Sequence, residues 1–137
     1  MKSLAIIVSR GSTNNFIQVL SLLMAAVHSD IAVRVFFRDE AVFRLRPEAI
    51  NRLELSEAYA HDAAGVAQRL HKHDLTDVHK LLRDIKASGD VTYYVCSSSL
   101  AVCGLKQAQL IPEIDEVRGL PAFLLEDVAS ADHVLTF

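Results

Sequence analysis

The chain has 137 residues, 51% hydrophobic and 23% charged, the make-up of one folded globular domain rather than a disordered tail. Basic and acidic side chains number 14 and 17, a formal charge of −3, so no basic excess exists to neutralise a run of phosphates, which argues against nucleic acid as the main partner. Two cysteines are too few for a disulfide scaffold, and zinc would need His or carboxylate ligands as well.

Lys2 precedes an apolar run, Leu4-Ala5-Ile6-Ile7-Val8, shorter than the roughly 7–15 residues of a signal-peptide core. The run bounded by Ser9-Arg10-Gly11 reads as a buried strand. Ser12, Thr13, Asn14 and Asn15 offer a turn and several N-caps for a helix over Phe16–His28. That helix is apolar on nearly every side and predicts a second packing surface, against another subunit. It is interrupted by Gln18 and Ser21 and falls short of the roughly 20 residues that span a bilayer, so no membrane span and a cytoplasmic location are expected.

Ile31–Phe37, β-branched and aromatic, reads as a second strand, and Arg38–Pro47 as a charged loop. Pro47-Glu48 marks a helix start, and residues 48–73 read as helical in part. Thr76 is placed to cap a helix whose Val78, Leu81, Leu82 and Ile85 share one face, with Gly89 closing it in the left-handed conformation. Val91–Val95 reads as a third strand with Cys96 at its end, Ser97, Ser98 and Ser99 as cap candidates, and a helix over Leu100–Gln109. A short strand at Ile114–Arg118, a helix from Gly119-Leu120-Pro121 to Ala129, and a strand at His133–Phe137 complete a single domain over residues 1–137.

Strands alternating with helices predict an α/β fold, a mostly parallel sheet of about five strands covered on both faces. Ligands of such folds bind beyond the carboxyl ends of the strands, where Arg10–Asn15, Arg38–Arg44, Cys96–Ser99 and Gly119–Pro121 are expected to meet. Cys96 stands out, because a cysteine between a strand and a helix start faces unpaired N–H groups that favour the thiolate. Arg10 or Arg38 could add a cation, with Gly11 and Ser97, Ser98 and Ser99 completing an anion-binding pocket. The alternative is a small buried cysteine without chemistry.

Seven residues later, Cys103 lies about 10.5 Å along a helix, beyond the roughly 7 Å reach of a disulfide, and is expected to pack beside Gly104. A thioredoxin-like pair would need two residues between the cysteines, not six. His61, His71, His73 and His79 have no chelating spacing and read as a solvated helix face, so no metal and no cofactor are expected. Gly11-Ser12-Thr13 lacks the dinucleotide and P-loop patterns and reads as a turn, and no nucleophile elbow is present.

Leu4–Gly11, Val33-Arg34-Val35-Phe36-Phe37, Val95-Cys96-Ser97-Ser98-Ser99-Leu100 and the ending from Gly119 to Phe137 resemble the DsrE/DsrF-like superfamily, closest to its DsrE2-like proteins. The resemblance implies a three-layer α/β/α sandwich and assembly into homo-oligomers (dimer, trimer or hexamer). It also implies a cysteine that carries a persulfide from a sulfur donor protein to an acceptor, and Cys96 falls at the matching position. Residues 44–75 depart most from the pattern, and a peroxiredoxin Pro-x-x-x-Thr-x-x-Cys segment is absent. The rival expectations are a non-catalytic small-ligand-binding or assembly subunit of the same fold and, with little phosphate chemistry in its loops, a nucleotide-binding module.

Overall fold

A computed structural model describes residues 1–137. Its helices are Thr13–His28 (α1), Glu40–Arg44 (α2), Ala63–Lys72 (α3), Val78–Ser88 (α4), Ser97–Cys103 (α5) and Leu120–Ala122 (α6), the last running into a π-helical stretch, Phe123–Val128. Ser3–Val8 (β1), Ala32–Phe37 (β2), Val91–Cys96 (β3), Glu116–Arg118 (β4) and His133–Thr136 (β5) make one all-parallel sheet in the order β4-β3-β2-β1-β5. The fold is an α/β sandwich.

Side chains alternate across a strand, so each strand feeds two layers. Leu4, Ile6 and Val8 of β1, Val33, Val35 and Phe37 of β2, and Val91, Tyr93 and Val95 of β3 enter a core of 26 buried residues with α1, α4 and Leu100 of α5. Ala5, Phe36, Tyr94 and Cys96 point to the other face, where with Phe123 they make a cluster of five buried residues, flanked by half-buried Ile7, Leu120, Val128 and Ala131. The asymmetry follows from the connections. From β1 to β4 the chain steps one way across the sheet, and crossovers of one hand leave their helices on one face. Only the return from β4 to β5 lays a segment on the other.

Several local expectations are corrected. Helix α1 starts at Thr13, not Phe16, because Ser12 is the N-cap and its hydroxyl accepts the Asn15 N–H at 3.2 Å. Most of its apolar side chains are buried within the chain, against the sheet and α4, with Ile17, Leu22 and Met24 left half-buried. The charged loop after β2 contains α2. Pro47 opens a turn instead of a helix: Ala49 and Ile50 both donate to the Arg46 carbonyl and bury themselves. The chain then runs out to α1, where the Glu54 carbonyl accepts the Thr13 N–H at 2.7 Å and the Ser56 N–H donates to Asn14 Oδ1 at 2.9 Å.

Asp77, not Thr76, caps α4, its carboxylate accepting the Lys80 N–H at 3.0 Å. Gly89 is extended, not left-handed; a Cβ there would lie 2.8 Å from Val27 Cγ1, so the glycine serves close helix-to-strand approach. Helix α5 begins at Ser97 and stops at Gly104, whose φ of +67° lets the Gly104 and Leu105 N–H groups reach the carbonyls of Ala101 and Leu100. No helix is long and apolar enough to cross a membrane.

Candidate functional site

The carboxyl ends of β1, β2 and β3 lie side by side, Val8 paired with Phe37 and Phe37 with Val95. Cys96 is the last residue of β3 and the N-cap of α5, with extended backbone (φ −65°, ψ 123°). Its Sγ lies 3.2 Å from Ser98 Oγ, and the residue is only 2% exposed. Burial pushes its thiol up, but the hydroxyls and backbone N–H groups of Ser98 and Ser99 outweigh that, and the pKa falls below the ordinary thiol value. A helix start that bends straight out of a strand puts these donors around the sulfur without help from a distant side chain.

Ser99 Oγ accepts the Asp39 N–H at 2.8 Å, tying the end of β2 to the first turn of α5. Asp39 achieves this at φ +52°, ψ −132°, a conformation unusual for a residue with a Cβ. Arg38, Asp39, Ser98 and Ser99 with Ser9, Val102 and Cys103 line an open cavity of about 320 Å³. Cys103, expected only to pack, therefore has a place in this wall as well as against the core. Its thiol is pushed up, by burial first and by the nearby Asp39 carboxylate second.

The structure divides the remaining candidates. Arg38, Ser98 and Ser99 share the cavity, and a Cβ on Gly119 would approach Ser97 Oγ to 3.9 Å, so Ser97 faces the β4–α6 junction. Arg10 lies apart, lining a shallow depression with Ser9, Thr136 and Phe137. Gly11 is also elsewhere: its N–H donates to Glu40 Oε1 at 3.0 Å and it lines a separate cavity of about 420 Å³ with Arg44 and Glu54. Cys96 itself is absent from the wall of the Arg38 cavity, its side chain turned toward Phe123 and Leu120.

Asp39 and Arg44 lie in the Arg38–Arg44 segment expected at the strand ends, but neither stands out there, because Arg38-Asp39-Glu40 reads as a solvated charge run and Arg44 as one more charge of the same loop. Arg44 is 4% exposed; its Nη2 donates to Thr13 Oγ1 at 3.1 Å and to the Arg52 carbonyl at 2.8 Å, and Glu54 lies 3.5 Å from Nη1. It clamps α2, the start of α1 and the 52–56 strap together. Among the histidines, His79 is not on a solvated face but pairs with Glu113 at 2.8 Å. No three His, Cys, Asp or Glu side chains gather in a metal-binding arrangement.

No curated protein matches the chain. Among solved structures, the protein of unknown function MTH1491 from Methanobacterium thermoautotrophicum is similar in fold, with a TM-score of 0.61 at 13% identity, covering 98% of this chain and 99% of that one. The sequence model of the DsrE/DsrF-like family matches residues 2–137. With a five-stranded parallel sheet and the family pattern running through it, the chain belongs to the DsrE/DsrF-like family, a family related to sulfur relay.

Proposed function

We propose that this protein is a sulfur carrier in which residues 1–137 act as one DsrE/DsrF-like domain and Cys96 holds the persulfide. The observation that carries the reading is Cys96 at the β3–α5 junction, with the Ser98 hydroxyl 3.2 Å from its sulfur and a thiol pKa below the ordinary value. The Cys96 thiolate attacks the outer sulfur of a donor protein's persulfide. The donor's S–S bond breaks, the donor leaves as a thiolate, and Cys96 becomes the persulfide. An acceptor thiolate then takes that outer sulfur and regenerates the Cys96 thiolate, with no net oxidation. The Cys96 thiolate is held by Ser98 and Ser99, so no separate general base is needed to form it.

Arg38, with Ser98 and Ser99, is assigned to the anion-binding part of the site, while Ser97 faces the β4–α6 junction beside it. Arg10 and Gly11 lie on neighbouring strand-end loops and are assigned at most to the approach of a partner. The partners are a sulfur donor and an acceptor protein, and the family resemblance supports a homo-oligomer; the cytoplasm is the compartment expected from the sequence. One specific observation favours the rival reading, a binding or assembly subunit with an inert thiol: Cys96 is almost entirely buried.

Incubating the reduced protein with a sulfane-sulfur donor, measuring intact mass and mapping the adduct separates the two. One added sulfur on Cys96 is expected, lost in Cys96→Ser and largely kept in Cys103→Ser. Equal loading of the wild type and Cys96→Ser overturns the carrier assignment.

A further inference from the structure

Cys96, whose sulfur meets two partner proteins in the carrier reading, is 2% exposed as a residue, and the cavity beside its serines does not include it. What covers it is the segment after β4. Phe123 is fully buried, stacked on Phe36 with ring centroids 4.6 Å apart and set edge-on to Tyr94 at 6.1 Å, and Leu120 packs beside it.

This cover is thin and lightly held. It buries five residues against the 26 of the main core. Phe123–Val128 runs in a π-helical register, whose wide turns are uncommon and recur at functional sites. Its outer side is solvent: Leu124 is 53% and Leu125 74% exposed. The polar tie to the sheet is Arg118 of β4, which reaches Glu126 at 3.0 Å and Asp127 while lying over the Tyr94 ring at 4.5 Å.

We propose that Leu120–Val128 is a gate over Cys96: Phe123 and Leu120 close it, Arg118 latches it to β4, and its local opening makes the sulfur available. The gate rests on the sulfur-carrier reading and adds the step that reading lacks, a route to a buried nucleophile. Opening of this kind is a sub-global event, cheaper than unfolding because only the small layer parts from the sheet.

The test is residue-resolved alkylation by iodoacetamide, with Cys103 in the same chain as the internal reference. In the wild type, Cys96 is expected to react more slowly than Cys103 despite its lower thiol pKa. Phe123→Ala, which removes the main cover, is expected to raise the Cys96 rate by about tenfold or more, with Cys103 little changed. Arg118→Gln cuts the latch without touching the apolar cover and is expected to act in the same direction, so the test survives a poorly folding Phe123→Ala.

Val19→Ala weakens the main core on the far side of the sheet and is expected to leave Cys96 slow. The gate is overturned by a wild-type Cys96 as fast as Cys103, by no acceleration in either variant, or by equal acceleration in Val19→Ala, which would mean global unfolding alone. Loading from a persulfide donor separates this from the parent reading. Faster alkylation without sulfur uptake keeps the gate and removes the carrier; uptake with unchanged alkylation does the reverse.

Discussion

Two cysteines seven residues apart end up with opposite chemistry. Cys96 accepts from the first turn of α5 and is shifted down, while Cys103, at the last turn, feels burial and Asp39 and is shifted up. A lowered thiol is an anion over a wider pH range on the acid side, so the stabilisation it receives is present above the ordinary thiol pKa and fades as pH falls through its own. Ser98→Ala removes the hydroxyl nearest the sulfur. In a Cys103→Ser background, the thiolate ultraviolet absorbance of Ser98→Ala should therefore rise at a higher pH than with Ser98 present. An unmoved midpoint would show that the backbone N–H groups and Ser99 suffice. Arg44 follows a different logic at the same scale. Burial pulls down its pKa and Glu54 opposes this only in part, because Nη2 alone is hydrogen-bonded while Nε and Nη1 are buried without a hydrogen-bond partner.

Among the elements, α4 shows how local rules and packing combine. Val78, Leu82 and Ile85 recur at helical spacing and are buried, each contributing about 1.5–3 kcal/mol of apolar burial. The end of α4 is decided by a neighbour. Gly89 passes so close to α1 that a methyl group would overlap Val27 Cγ1 and Cβ, at 2.8 and 2.9 Å. Since those atoms sit near the α1 backbone, they cannot swing aside. Gly89→Ala should cost about 1–3 kcal/mol in denaturant unfolding. Combining it with Val27→Ala should recover part of that loss, giving a coupling energy in the double-mutant cycle; strict additivity would place the strain elsewhere.

The whole molecule is lopsided: a thick apolar layer under α1, α4 and α5, and a thin one under α6 and the π-helical stretch. The outermost strand beside β1 is also weak, since every residue of β5 is exposed. Amide hydrogen exchange should reflect this, with β1, β2 and β3 slowest and β5 with Leu120–Val128 fastest among the regular elements. Uniform protection across all five strands would mean that the two layers open together. The order β4-β3-β2-β1-β5 puts the thin layer over the strand that carries Cys96. The thin layer therefore lies over the sulfur whose thiol is shifted down.

Much of this architecture was written locally. The short apolar runs at Leu4–Val8 and Val91–Val95, β-branched or aromatic and bounded by turn residues, favour buried strands, and the Val78–Ile85 spacing favours a helix with one apolar face. Cys96 between strand and serines was legible for the same reason: a strand that turns into a helix brings its own N–H donors. Other features depend on chain segments remote in sequence. Arg44 becomes interior because Thr13 and Arg52 come to meet it; Gly89 is extended because Val27 leaves no room. Pro47 fails to start a helix because Ala49 and Ile50 are drawn into the core and the following strap binds α1. The burial of Cys96 belongs with these. Sequence alone set the position of the sulfur, but the return crossover from β4 to β5 placed Phe123 over it, and only three-dimensional packing decides what lies between a nucleophile and solvent.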